Sequence, residues 1–212
     1  MTIKIISVLL LSLVLASCSA DRNILTQDSG KIIDKKIESP FSGNKNSKVQ
    51  MMIFTDFQCS ACIRFDKIIW WELFEKYVLT NKIGLTYKMF PLSIHKNAPE
   101  DALAALCAES KWKYKEFAKE IYSLEEAKAW LRITYEDRLN IGKKIWLDSS
   151  EFKKCIDDWN YVSKIKEDMD LWNKMWLQWT PSVYINWKIV NFWSPEELFR
   201  IIDLILASGN TK

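Results

Sequence analysis

The sequence predicts an α/β fold, with elements in the order strand, helix, strand, helical block, hairpin, helix. Three observations carry that order. Short apolar runs at Val49–Thr55 and Ile83–Phe90 have the length of buried strands. Apolar residues at helical spacing fill the interval between them, and a far longer helical stretch runs from about Pro99 to Lys174. Two further short strands then flank Asn186-Trp187, ahead of a last amphipathic helix. The 212 residues suit one domain with room for an insertion. At 49% apolar residues the chain is too hydrophobic for general disorder. A net charge of +3, without a basic block or an aromatic–basic stripe, argues against nucleic acid as a partner. The one long apolar run sits at the start, which excludes a multi-span membrane protein.

That first run reads as an address. Lys4 precedes Ile5–Ala16, about a dozen apolar residues, short for a membrane span and right for a signal segment. It ends in Leu15-Ala16-Ser17-Cys18, which resembles the lipobox of bacterial lipoproteins. The resemblance implies a signal peptide over residues 1–18 and acylation of Cys18 as the mature N-terminus. An ordinary cleaved signal peptide and an uncleaved anchor are the alternatives. Acyl chains would hold the protein on the cell membrane without spanning it, outside the cytoplasm, where disulfides persist. The polar residues 19–46 read as a tether, with room for one short helix near Lys31–Lys36.

The first strand runs directly into Asp56-Phe57-Gln58-Cys59-Ser60-Ala61-Cys62. From Ala61 to Val78, Phe65, Ile68, Ile69, Leu73, Phe74 and Tyr77 follow helical spacing. The second strand stops at Pro91. In the helical block, Ala102, Leu103, Ala105, Leu106 and Ala108 form one face, and Phe117, Ile121, Tyr122 and Leu124 another. Shorter helices are marked by Phe152, Cys155 and Ile156, and by Val162, Ile165 and Met169. Thr134-Tyr135-Glu136-Asp137 resembles a capping box with Asp in place of Glu. Ser194-Pro195-Glu196-Glu197 supplies an N-cap Ser, Pro at N1 and Glu at N3. Leu198, Ile201, Ile202 and Ile205 then face the core.

Apart from Cys18, the cysteines are Cys59, Cys62, Cys107 and Cys155. Cys59 and Cys62 form a CxxC at a strand-to-helix junction. The first Cys feels the positive end of the helix dipole, which favours its thiolate. The second, one turn on, can close or release a disulfide with little backbone movement. Zinc would need two more ligands, and the chain has one His and no second CxxC. A purely structural disulfide is the other alternative to redox exchange.

Here the sequence resembles the DsbA-like thioredoxin-fold thiol–disulfide oxidoreductases, from about Gly43 to Ala207. The resemblance rests on Phe54-Thr55-Asp56-Phe57-Gln58-Cys59-Ser60-Ala61-Cys62, Phe90-Pro91-Leu92 with His95, and Ala104-Ala105-Leu106-Cys107-Ala108-Glu109. It closes with Thr180-Pro181-Ser182-Val183-Tyr184-Ile185-Asn186 and a C-terminal helix. It implies a thioredoxin fold with an inserted helical domain: a first part over 47–94, the insertion over 95–175 and a second part over 176–209. It also implies that Cys59 is the exposed nucleophile, that Cys62 resolves, and that Pro181 is cis and faces the pair. Thr180 would offer its backbone to an extended substrate segment. Some relatives carry a second disulfide in the insertion, which Cys107 and Cys155 would form here. A loop of about 50 residues closed in this way would contribute roughly 4 kcal/mol. Two buried free thiols are the alternative.

The chain departs from the family pattern in places. Ser60-Ala61 replaces Pro-His or Pro-Tyr, so no imidazole lies between the cysteines, and a less extreme oxidant than DsbA is expected. The buried carboxylate of thioredoxins would fall at Ile53 and is missing. Asp56, the nearest acid, reads either as a helix N-terminal carboxylate or as a proton relay. His95 reads as a cap or packing residue at the start of the helical block more readily than as a catalytic group.

Eleven Trp stand against five Gly, where average Gly usage of about 7% would give roughly 15. Several Trp occupy positions that call for Gly: Trp187 at the hairpin tip, Trp146 and Trp159 after helix ends, and Trp112 and Trp193 in loops; Trp179 precedes Thr180-Pro181, where the resemblance implies that Gly is common. The expectation is that the source organism reads UGA as Gly. A genuinely Trp-rich binding surface is the alternative.

The function expected is an extracytoplasmic, lipid-anchored thiol–disulfide oxidoreductase that forms or isomerises disulfides in exported proteins. It would work through a mixed disulfide on Cys59, resolved by Cys62. It would need no cofactor or metal. Its partners would be exported proteins with Cys pairs and a membrane redox partner that recycles the CxxC, with a monomer as the default. The rival readings are a non-catalytic client-binding module and a soft-metal chaperone.

Overall fold

The computed structural model describes residues 36–128 and 133–208. The signal segment, Cys18 and most of the expected tether, including the helix near Lys31–Lys36 up to residue 35, lie outside the described residues. No helix among the described residues is long and apolar enough to cross a membrane.

The fold centres on β2 (Gln50–Thr55). This strand pairs in parallel with β3 (Gly84–Met89) on one side and antiparallel with β4 (Ser182–Ile185) on the other. The edges are β1 (Phe41–Gly43) and β5 (Lys188–Val190), giving the order β1-β3-β2-β4-β5. Strand β1 lies inside the segment expected to be tether. Its composition is polar and turn-rich, but Phe41, Ser42 and Gly43 pair with Thr86, Leu85 and Gly84, an edge that local sequence does not announce.

Alternate side chains of β2 face opposite layers. Met51 and Ile53 enter a core with Phe65, Ile69, Leu73, Leu85, Leu198 and Ile202. Met52 and Phe54 enter a second core with Trp172, Leu177 and Tyr184. Both faces are covered, which explains why β2 runs apolar from Met51 to Phe54 instead of alternating.

The helical run after β2 covers the first face. It comprises α1 (Ser60–Phe65), a π-helical segment (Asp66–Trp70), α2 (Trp71–Leu73) and a second π segment (Phe74–Val78). Helical spacing alone predicts a plain α-helix here. The buried stripe Phe65, Ile69, Leu73, Tyr77 repeats every four residues. In an α-helix at 3.6 residues per turn that spacing drifts about 40° per step, and wider π turns keep the stripe on the sheet. Helix α8 (Pro195–Ser208) covers the same face, with the Glu197 N–H donating to Ser194 Oγ at 3.3 Å.

Between β3 and β4 lie α3 (Ala98–Glu109), α4 (Tyr114–Lys128), α5 (Tyr135–Lys144), α6 (Ser149–Asp157) and α7 (Val162–Lys174). The capping box of α5 forms with Asp137 at N3. Cys107 on α3 and Cys155 on α6 are joined by a disulfide, their Cα atoms 5.9 Å apart. The Arg138 guanidinium, 2% exposed, donates to Asp101 at 2.7 Å between α5 and α3. Helix α7 is fastened to the sheet by buried Asp168, which accepts from Lys164 Nζ (2.7 Å), Lys88 Nζ (3.0 Å) and the Met89 N–H (3.0 Å).

Of the Trp residues expected at Gly-like positions, Trp112, Trp146, Trp159 and Trp187 have positive φ, from 52° to 66°, and so does Trp176, which the sequence did not single out. Trp179 and Trp193 are absent from this set: both are exposed, but their backbones are not left-handed. At these two the backbone itself makes no demand for glycine, because a loop position alone does not fix the sign of φ.

Candidate active site

The turn out of β2 builds the site. Asp56 Oδ1 accepts the Gln58 N–H at 2.8 Å, which bends the chain so that Cys59 becomes the N-cap of α1. Asp56 Oδ2 accepts the Leu92 N–H at 2.7 Å and pairs with His95 Nδ1 at 2.8 Å. The carboxylate, 2% exposed, therefore ties the turn to the segment following β3. Gln58 extends the tie into the helical block: its Oε1 accepts the Asn97 N–H at 2.9 Å, and its Nε2 donates to Glu125 at 3.1 Å.

Cys59 and Cys62 are free thiols one helical turn apart. Across from them, the Thr180–Pro181 peptide is cis. The Cys59 thiol donates to the Thr180 carbonyl at 3.3 Å. The resemblance implies an exposed nucleophile, but Cys59 is only 8% exposed and Cys62 1%. The close approach of the Thr180 carbonyl covers the sulfur.

The two thiols are electrostatically unlike. A hydrogen bond from Cys62 lowers the Cys59 pKa from 9.0 to about 5; burial opposes the shift, while Thr180 and the Cys62 and Ala61 amides reinforce it. The Thr180 hydroxyl oxygen, buried and without a geometric hydrogen-bond partner here, is free to serve the thiolate. Burial pushes the Cys62 pKa well above 9.0, and its neighbour Cys59 adds to that rise. The pair titrates together, with Cys59 ionising first.

Ile53, where the resemblance would put a buried carboxylate, is 1% exposed and lies in the apolar core beneath the sheet. The polar groups near Cys62 are instead the Thr55 hydroxyl and the Asp56 backbone amide. Thr55 Oγ1 and Tyr122 Oη lie 2.6 Å apart, both residues buried. Thr55 was legible only as a polar residue ending an apolar strand, and Tyr122 on α4 only as one of a helix face. His95 stands at the start of the helical block, where its carbonyl accepts the Ala98 N–H at 3.3 Å, and its ring pairs with Asp56; that hydrogen bond raises its pKa above 6.5, and the Cys59 charge adds to the rise. Cys107 and Cys155 stay apart from this site, in the helical block. A cleft of about 820 Å³ between α1 and α4, lined by Asp66, Trp70, Tyr114 and Tyr122 among others, does not include Cys59, Thr180 or Pro181.

The chain matches the thioredoxin family over residues 35–204. It is 31% identical over 153 residues to the probable disulfide bond formation protein D of Bacillus anthracis, covering 70% of each chain. It is 22% identical over 171 residues to the disulfide bond formation protein D of Bacillus subtilis, covering 77% of this chain and 75% of that one. Among solved structures, oxidised BdbD from Bacillus subtilis superposes with a TM-score of 0.67 at 22% identity, over 80% of this chain and 93% of that chain. Chlamydia trachomatis DsbA does so with a TM-score of 0.70 at 14% identity, over 85% and 97%.

Proposed function

The chain belongs to the thioredoxin family, as a DsbA-like protein thiol–disulfide oxidoreductase, and on that premise we propose that it forms or isomerises disulfides in exported proteins through a mixed disulfide on Cys59. The observation that carries this reading is the asymmetry of the pair. Cys59 sits at a helix N-terminus with its pKa lowered to about 5, while Cys62 is buried with its own pushed up.

In the forming direction, a client thiolate attacks Cys59 Sγ of the oxidised pair. The Cys59–Cys62 bond breaks, and Cys62 leaves as a thiolate that takes up a proton. A second client thiolate then attacks the client sulfur of the mixed disulfide and expels Cys59. Two electrons pass from the client to the pair, and one client disulfide forms. A low-pKa thiolate is the better leaving group, so Cys59 favours this release. When the client does not complete the step, Cys62 attacks Cys59 Sγ, re-forms the pair and frees the client as a thiol. The cis Thr180–Pro181 segment lies where an extended client would meet Cys59. Isomerisation uses the same mixed disulfide, with a different client thiol completing the exchange.

The N-terminal sequence supports an extracytoplasmic location with a lipid anchor on Cys18. Exported proteins with Cys pairs are then the clients, and a membrane redox partner re-oxidises the pair. The names of the Bacillus relatives, disulfide bond formation proteins, favour disulfide formation over reduction.

The test is the reduction potential of the Cys59–Cys62 pair in the full chain, equilibrated in glutathione buffers. A value of about −120 to −180 mV supports an oxidase or isomerase, whereas one near −270 mV points to a reductant. No reversible couple at all would leave a client-binding module without exchange chemistry.

A further inference from the structure

Four helices of this protein end in the same way. After α3, the Trp112 N–H donates to the Glu109 carbonyl and the Lys113 N–H to the Ala108 carbonyl. After α5, Trp146 reaches Lys143 and Leu147 reaches Gly142. After α6, Trp159 reaches Ile156 and Asn160 reaches Cys155. After α7, Trp176 reaches Asn173 and Leu177 reaches Trp172. Each pair of bonds is a complete Schellman motif, in which the residue past the helix end turns left-handed. The tryptophan is that residue every time, with φ of 60°, 65°, 52° and 54°.

This position is dominated by Gly, because a Cβ there crowds the neighbouring carbonyl. Asn is the usual second choice. The same chain supplies that comparison. After the π segment ending at Val78, Asn81 with φ 56° closes a fifth such motif, donating to Val78 while Lys82 donates to Tyr77.

The hairpin adds an independent geometry. Ile185 pairs with Lys188 across the two-residue loop Asn186-Trp187, whose φ values are 48° and 66°. Positive φ at both loop residues defines a type I′ turn, for which Asn-Gly is the preferred sequence. Here Trp stands in the glycine place.

Packing sets four of these five apart from Trp70 and Trp172, while Trp159 is half-buried. Trp112, Trp146, Trp176 and Trp187 are 74–91% exposed. None of the five rings meets another aromatic ring among the described residues. Trp172 stacks on Phe90 with ring centroids 3.7 Å apart and is 4% exposed. Trp70 meets Tyr87 edge-on at 5.6 Å.

We infer that the protein its source organism makes carries glycine at positions 112, 146, 159, 176 and 187, through UGA codons read as glycine. Substitution by glycine is compatible with the backbone at all five sites. It also removes four of the exposed indoles, those of Trp112, Trp146, Trp176 and Trp187, so these four are no docking surface for a client or a membrane.

The experiment reads the gene and the natural protein. Its five codons are expected to be UGA, while those for Trp172 and Trp70, whose rings pack, are expected to be UGG. Proteolytic peptides of protein isolated from the source cells should give glycine masses at the five sites. UGG at any of the five, or a tryptophan mass in any of those peptides, overturns the inference. Expressing the full chain with all five Trp→Gly changes provides a second readout. Its unfolding temperature should rise above that of the tryptophan form, and an equal or lower value also overturns the inference.

Discussion

Replacing Cys62 with alanine removes the first cause of the low Cys59 pKa, the hydrogen bond between the two sulfurs. With a pKa of about 5, Cys59 is roughly 99% thiolate at pH 7, while an unperturbed thiol near 9.0 is only about 1%. In Cys62→Ala the midpoint should move up toward the ordinary value. A midpoint of about 7 in the variant would cut thiolate at pH 6 roughly tenfold, from about 90%. The assay is the pH dependence of alkylation of the reduced full chain by iodoacetamide, with the modified cysteine located by peptide mass. Cys62 is buried, so early modification reports Cys59. The sign of the stability effect follows from the same shift. A folded-state pKa below the unfolded one stabilises the reduced protein above pH 9 in full, and the stabilisation is lost as pH falls through about 5. Reduced protein should therefore gain stability relative to Cys59→Ala as pH rises between those values. A wild-type alkylation midpoint at or above 8, or an unchanged midpoint in Cys62→Ala, would refute the reasoning.

Three further outcomes are expected. Thr55→Val, which removes the hydroxyl that favours the Cys62 thiolate, should slow release of a mixed disulfide about fivefold, the cost of a hydrogen bond worth about 1 kcal/mol. The loss should diminish at high pH, which a merely structural defect would not produce. Replacing both Cys107 and Cys155 with alanine opens a loop closed across a sequence separation of 48. It should cost about 4 kcal/mol in the chain-entropy model, or about 8–16 °C in unfolding temperature, with the Cys59–Cys62 potential unmoved. His95 has its pKa raised by Asp56, so the pair's contribution is complete below the unfolded value of about 6.5 and fades as pH rises through the higher folded value. His95→Asn should accordingly be more destabilising at pH 5.5 than at pH 8.5, as read from denaturant midpoints; equal losses at both would dispose of the charge argument.

Much of this protein was legible in one dimension, because the informative signals are local. Strand β2 declares itself by a short apolar run, and the capping box at Thr134 and the Ser194-Pro195 start are written within four residues. The CxxC at the end of that strand fixes both the chemistry and its place at a helix N-terminus. Even the helix ends were partly readable, since Trp146, Trp159 and the hairpin residue Trp187 stand where left-handed backbone was expected. What only the tertiary structure decided depends on residues far apart in sequence. The edge strand β1 exists because it meets β3 more than forty residues later, so polar composition misplaced it in the tether. The π turns of the first helix answer to the sheet beneath them. Asp56 is committed to Leu92 and His95, and Thr55 to Tyr122, through contacts with no sequence spacing of their own. The enclosure of Cys59 likewise comes from Thr180, 121 residues downstream. Local sequence specifies which groups can react. The distant partners that bury, ionise or orient them are set by how the chain closes on itself.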